Sequence, residues 1–379
     1  MAKFMAITSK GLIDELEKEI KELGLKTLKK ESTGVWFEGN WSDCYKANLY
    51  LRTASRVILP VLDFEAHTND ELYKKIRQHD FTKYIDPEQT LSIDASTRES
   101  KTFKDQRFIA LKIKDAIVDQ FYEQFDRRPD IDTRDPDMRV VVRVIKNSVS
   151  VGVDTSGQTL SQRGYRLEAG EAPLREHLAA ALIRLSGWTP EMPLVDPMCG
   201  SGTILIEAAM MAANMASGSM RRGFAFQRLK GFQKEAWDEV LQTAIEEERE
   251  PEGLMLFGSD SDNKVLSVAR KNSQRAGVDE WITFNRRLVE TLTPPEELEG
   301  KTGMIIVNPP YGERLGVTHE LSDLYKDFAH TLKRQFQGWT CWILSGNEEL
   351  TRHLHLKASL KVPVHNGNIS CRFLKYEIR

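Results

Sequence analysis

Two short segments of this 379-residue chain combine residue types and spacings that imply chemistry. The first is Asp196-Pro-Met-Cys-Gly-Ser-Gly-Thr203, placed after the apolar run PLVDPM (193–198) and before the helix-like ILIEAAMMAAN. Gly200 and Gly202 permit positive φ and let a ligand approach the backbone closely. Asp196, at the end of the apolar run, sets a carboxylate beside that turn. The segment lacks the Gly-Lys-Ser/Thr of a P-loop and the GxGxxG spacing of a dinucleotide loop. A carboxylate there repels a pyrophosphate and suits a cationic amino group, such as that of the methionine part of S-adenosylmethionine. About 60 residues on, Gly-Ser-Asp-Ser-Asp (258–262) ends another apolar run. Asp260 is placed to accept from both ribose hydroxyls, and Asp262 to cap a helix over 263–276.

The second segment is GMIIVNPPYG (303–312), an apolar strand running into Asn308-Pro309-Pro310-Tyr311. Consecutive prolines donate no backbone hydrogen bond and stiffen the turn. That leaves the Asn308 side-chain oxygen and the Pro309 carbonyl as acceptors for an exocyclic amino group, with Tyr311 as a face for a flipped-out base. An aromatic amine is a weak nucleophile because its lone pair is delocalised into the ring. Two acceptors on its N–H bonds favour rehybridisation and aim the lone pair at a methyl sulfonium. Catalysis of this kind rests on orientation and electrostatics rather than on a strong base.

These segments need a scaffold that ends several strands at one edge. The runs at 193–198, 254–259, 303–308 and 340–346 are apolar throughout and alternate with amphipathic stretches, the pattern of a parallel sheet covered on both faces. Such a doubly wound sheet binds ligands at the carboxyl ends of its strands. Segments 358–364 and 371–378 predict an antiparallel edge hairpin. The first 165 residues differ: strands at 4–8, 34–39, 57–64, 90–96, 139–145 and 149–155 interleave with helices at 11–23, 41–50, 68–78 and 107–124. This front half reads as an α+β region of two small subdomains.

Taken together, DPMCGSGT, GSDSD and NPPYGERLG resemble the motifs of class I S-adenosylmethionine-dependent amino-methyltransferases. GYR (164–166) and APLREHLAAALIRLSGW (172–188) narrow the resemblance to THUMP-domain RNA methyltransferases, and within them to the rRNA large subunit methyltransferase L family. That resemblance implies a ferredoxin-like subdomain at 1–66, a THUMP domain at 67–165 and a Rossmann-like methyltransferase domain at 166–379. It implies methyl transfer to the N2 amino group of a guanine in 23S rRNA. Asp196, Met198, Gly200, Gly202 and Thr203 would line the methionine side of the cofactor and Asp260 its ribose. Asn308, Pro309, Pro310 and Tyr311 would hold the guanine, with Arg314 near the nucleotide. One stretch departs from the family pattern: ITFNRRLVETL has no acid before Glu290, and Asn285 is taken as the adenine contact. Some relatives are longer fusions with a second methyltransferase domain, which this chain is expected to lack.

The formal charge, 53 basic against 56 acidic residues, is −3, so RNA contact must come from local patches. Two basic stretches qualify. Arg98, Lys101, Lys104 and Arg107 form one, extended by Lys112 and Lys114. The other, 221–234, mixes Arg221, Arg222 and three further cations with Phe224, Phe226 and Phe232, as phosphate contact with base stacking requires; the competing reading is a loop anchored by its phenylalanines. Cys199 reads as a packing residue and not a nucleophile, and His319 and His330 as surface residues. The four cysteines form no CxxC pair, so no metal is expected, and a reducing cytoplasm is. The N-terminus lacks a signal-peptide pattern and no apolar run is long enough to span a membrane. No obligate protein partner is evident. A tRNA guanine or an adenine N6 in DNA remains an alternative substrate, and a non-catalytic RNA-binding assembly factor an alternative of another class.

Overall fold

The computed structural model describes residues 1–166, 174–311 and 319–379. It divides into two compact units. One comprises residues 1–8, 17–160 and 221–242, the other 9–16, 161–220 and 243–379.

The first unit is built on an eight-stranded sheet. Its elements are β1 (Ala2–Ile7), α1 (Ile13–Glu22), β2 (Lys26–Glu31), β3 (Gly34–Gly39), α2 (Trp41–Tyr50), β4 (Arg56–Glu65), α3 (Asn69–Ile76), β5 (Thr90–Arg98), α4 (Gln106–Phe125), β6 (Asp130–Ile131), β7 (Met138–Ile145) and β8 (Ser148–Asp154). The strand order is β2-β3-β1-β4-β8-β7-β5-β6. One continuous sheet therefore crosses the expected boundary at residue 66, because β4 pairs antiparallel with β1 and with β8. The strict alternation of β7, with Met138, Val140, Val142 and Val144 buried, aims one face at the core. Strand β2 was not legible, because KTLKKE is polar and mostly exposed, held at the sheet edge by backbone pairing with β3. Helix α2 starts where Asn40 and Asp43 form a reciprocal capping box.

The second unit continues with α5 (Glu176–Ser186), β9 (Leu194–Asp196), α6 (Thr203–Ala212), α7 (Lys234–Glu246, which begins in the first unit), β10 (Leu256–Asp260), α8 (Asn263–Arg275), β11 (Ile282–Arg286), β12 (Met304–Val307), α9 (His319–Gln335), β13 (Thr340–Ser345), α10 (Glu348–Arg352), β14 (Leu360–Asn366) and β15 (Ile369–Glu377). Its sheet runs β11-β10-β9-β12-β13-β15-β14. The first five strands are mutually parallel, and β15 and β14 form the antiparallel edge hairpin the sequence predicts. Every residue of β9 and β12 is buried, as continuous apolar runs between two helical layers require.

By its contacts, the segment 221–234 groups with the first unit. Its phenylalanines anchor it there: the Phe226 ring packs, tilted by 32°, with its centroid 4.5 Å from that of Tyr45, and the Phe226 N–H donates to the Thr155 carbonyl at 2.9 Å. The boundary at 166 therefore does not separate two unbroken stretches of chain.

Candidate active site

Strand register brings the two motifs together. In the parallel pair β9–β12, Leu194 lies opposite Met304 and Val195 opposite Ile305. Asp196 is one residue past that last pair and Asn308 three residues past its own, so both chains leave the sheet at the same carboxyl edge. Strand β10 flanks β9 on the other side, with Gly258 opposite Asp196. Three neighbouring tips thus carry Asp196, Asp260 and Asn308.

The glycine turn is stitched to the tip of β10. The Cys199 N–H donates to the Ser259 carbonyl at 2.9 Å, and the Gly200 N–H to Asp260 Oδ2 at 3.0 Å. Asp260 Oδ1 accepts from the Asp262 N–H at 3.1 Å, while Asp262 caps α8 by accepting from the Lys264 N–H at 2.7 Å. Gly200 has φ +54°, and among the described residues no atom lies within 4 Å of where a Cβ would stand; that side of the turn is open. Gly202, at φ +81°, is the opposite case, since a Cβ there would sit 3.1 Å from Phe284 and 3.2 Å from Ala269.

Asp196 is 2% exposed and, among the described residues, accepts one long hydrogen bond, from the Met198 N–H at 3.3 Å. Among the described residues no cation pairs with it. Burial pushes its carboxyl well above the usual carboxylate range, and the nearby Asp260 charge pushes the same way. Met198 is half-buried against the cluster around Val195, Ile305 and Val307. Thr203 opens α6, and its hydroxyl accepts from Arg166 Nη2 at 2.6 Å. Cys199 is buried, and burial followed by the Asp196 charge raises its thiol pKa strongly, so it is no thiolate nucleophile. Asn285 is exposed on edge strand β11, paired across the ladder with Ser259, one residue short of the level of Asp260.

On β12, the Asn308 side-chain oxygen is buried and has no hydrogen-bond partner among the described residues. Pro309 is buried and Pro310 exposed. The Tyr311 hydroxyl accepts from Asn366 Nδ2 at 2.9 Å, and Gly346 lies so close to its ring that a Cβ would come within 2.9 Å.

These features fit S-adenosylmethionine: a buried carboxylate with no cation paired to it among the described residues, an open glycine turn, and a second acid, Asp260, at the neighbouring strand tip. An unpartnered buried acceptor is costly unless a ligand satisfies it, and the Asn308 oxygen is one such acceptor among the described residues, at the same sheet edge as the glycine turn. Comparison with known proteins agrees. Residues 163–375 match the family described as RMKL-like, methyltransferase domain. The chain belongs to that methyltransferase family. In this RMKL-like methyltransferase, residues 66–154 match the THUMP domain and 3–58 the RlmL ferredoxin-like domain. A Synechocystis protein named as a candidate RNA methyltransferase is 38% identical, covering 99% of this chain and 96% of its own. The ribosomal RNA large subunit methyltransferase K/L of Psychromonas ingrahamii is 42% identical over the whole of this chain, which spans 50% of that protein. The crystal structure of SMU.472, named as a candidate methyltransferase and complexed with S-adenosylhomocysteine, superposes with a TM-score of 0.88 at 29% identity, covering 100% of this chain and 98% of that one. The fold of this chain is a class I α/β methyltransferase domain preceded by ferredoxin-like and THUMP regions.

The basic residues fall into two groups. Arg98 pairs with its neighbour Glu99, Arg107 with Asp105, and Lys101 and Lys104 are exposed. Arg221 donates instead to the carbonyls of Thr159, Ser156 and Gln158 and lies over the Phe224 ring, so it holds the protein's own backbone; Arg222 is exposed. Arg314 lies outside the described residues. His319 and His330 are at the surface of α9. Among the described residues no cluster is placed to hold a metal, and no helix is long and apolar enough to cross a membrane. Sequence reasoning missed Asn366, which positions Tyr311, and the buried network of Arg163, Glu207 and Tyr165 behind the glycine turn. The lone acid in ILIEAAMMAA was the available signal for that network.

Proposed function

We propose that this chain transfers a methyl group to the exocyclic N2 amino group of a guanine in 23S rRNA, acting in the cytoplasm. The buried, unpartnered Asn308 oxygen beside the Asp196 tip carries the reading. The names of the relatives support rRNA, the THUMP region supports an RNA substrate, and four free, buried cysteines suit a reducing compartment.

Asp196 faces the amino group of the cofactor, Gly200 and Gly202 let its methionine part approach, Met198 and Thr203 complete that wall, and Asp260 accepts from the ribose. Asn285 is our assignment for the adenine edge. When bound, the cofactor supplies an electrophilic methyl on a sulfonium, whose sulfur becomes a neutral thioether. The Asn308 oxygen and Pro309 carbonyl accept the two N–H bonds of the amine, so its lone pair points out of the ring plane toward that carbon. Methyl transfer would leave the amine nitrogen cationic and acidic enough to release one proton to water, and the Asn308 oxygen and Pro309 carbonyl would face that charge. Asn308 therefore orients and stabilises developing positive charge, and no strong base is needed. Tyr311, fixed at its hydroxyl, stacks on the base, and Pro310 stiffens the turn.

The test is transfer of labelled methyl to separate rRNA, tRNA and DNA pools, followed by nucleoside analysis. Label in N2-methylguanosine of rRNA is the expected outcome; label only in tRNA or in N6-methyladenine moves the assignment to that substrate, and no label in any pool removes the enzymatic reading.

A further inference from the structure

We propose that a cleft at the β14 edge of the seven-stranded sheet, ringed by Arg352, Lys357, Lys361 and Arg372, binds the phosphate backbone of the RNA beside the target base. This rests on the reading of the chain as an RNA methyltransferase and adds a substrate-binding site to it.

The cleft encloses about 820 Å³ and lies wholly within the second unit, between the end of β13, α10 and the β14–β15 hairpin. Its cations come from four places in the sequence: Arg352 from α10, Lys357 from the following loop, Lys361 from β14 and Arg372 from β15. All four are exposed. Among the described lining residues the one carboxylate is Glu348, which Arg372 pairs with at 3.0 Å. Arg372 first, then Arg352 and Lys361, hold the Glu348 carboxyl below the usual range, so one anion already answers several cations. The surplus is positive. An ordinary solvated helix face puts its charges on one convex element; here four segments aim like charges into a concavity, an arrangement that concentrates anions.

Position argues for a polyanion that continues from the catalytic corner. Gly346, in the cleft wall, packs on the Tyr311 ring. The hairpin that supplies Lys361 and Arg372 also holds the Tyr311 hydroxyl through Asn366, with Cys371 Sγ 3.8 Å away. From Asn366 to Lys361 is five residues of strand, roughly 16 Å at the usual rise. Alternation turns Lys361 and Arg372 to the sheet face opposite Asn366 and Cys371, so the route from a base on Tyr311 to the cations runs past Gly346, which lines the cleft, and spans a few nucleotides. Such phosphate contacts fix register without reading sequence.

The experiment uses the full chain and polyuridylate as a single-stranded probe, reading affinity by fluorescence anisotropy over a range of salt. For single-stranded nucleic acid, removing one cation from its phosphate reduces the log–log salt slope by about 0.7. Lys361→Gln/Arg372→Gln is expected to flatten the slope by about 1.4 and to raise KM for RNA, with cofactor affinity by calorimetry unchanged. Arg352→Gln/Lys357→Gln provides a second pair with the same expectation should the first fold poorly. If wild type binds with a steep salt slope and both pairs keep it, the cleft is not the phosphate site, whatever the chain methylates. If wild type neither binds nor methylates RNA, the enzymatic reading falls and the cleft falls with it.

Discussion

Asp154 and Asp196 each end a strand, each is almost fully buried, and burial pushes each carboxyl upward. Their surroundings differ. Asp154 is paired with Arg56 and accepts from the Ser156 N–H at 2.9 Å and from Gly157. Asp196 has one long hydrogen bond and a second carboxylate nearby. A buried charge that the fold satisfies is architecture; one that the fold leaves wanting is a site held open for a ligand. A related contrast separates Arg221, whose Nη1 and Nη2 donate to three carbonyls, from Asn308, whose side-chain oxygen has no hydrogen-bond partner among the described residues.

The sharpest way to break this comparison is Asn308→Ala. It should lower kcat by about 10²- to 10³-fold, the usual cost of removing one preorganised hydrogen-bonding group, with cofactor affinity unchanged by calorimetry. A variant with normal turnover would make the unpartnered oxygen an accident of the fold.

Next is the pair of aspartates. Asp154→Ala strands a partly exposed Arg56 and two backbone N–H groups, and should cost about 2–3 kcal/mol in urea unfolding. Asp196→Ala removes a charge that almost nothing compensates, so the cofactor-free protein should stay within about 1 kcal/mol of wild type while cofactor binding falls at least roughly tenfold. Equal destabilisation by the two substitutions would erase the distinction.

Acidity sharpens the same point. Because the folded state raises the pKa of Asp196, it binds that proton more tightly than the unfolded chain does. The stabilising contribution is present at low pH and is lost as pH rises through the raised value. Asp196→Asn, which mimics the neutral acid, should therefore gain stability over cofactor-free wild type, with a gap that opens above the unfolded-chain value of about 4 and widens as pH rises toward the raised folded value. A constant gap would mean that this carboxyl does not titrate as its burial requires.

Much of this was legible before any coordinates. The apolar strands of the second unit, the hairpin at its edge and the convergence of residues 196–203, 258–262 and 308–311 follow from local pattern plus the rule that parallel strands end together. Register, which sequence does not encode locally, supplied the rest. It takes a specific pairing to bring Asn366 onto Tyr311, or to run one sheet through β4 and β8. The basic segment at 221–234 shows the limit most clearly. Its composition fits RNA contact and fits burial equally, and only the partners of Phe226 and Arg221 decide between them.

That decision yields the smallest effects. Arg221→Ala should lower stability by about 1–2 kcal/mol by breaking hydrogen bonds to three carbonyls, while leaving RNA affinity within about twofold. Lys101→Gln/Lys104→Gln should do the reverse. Both lysines are exposed, so melting should shift by less than about 0.5 kcal/mol equivalent, whereas the salt slope for RNA binding should flatten if the THUMP-side strip touches phosphate. Measured side by side, the two variants ask whether a basic run is defined by its charge or by what its charge already touches. Loss of RNA affinity in Arg221→Ala at full stability would show that the guanidinium leaves its carbonyls for phosphate, and the rule drawn from the aspartates would not extend to arginines.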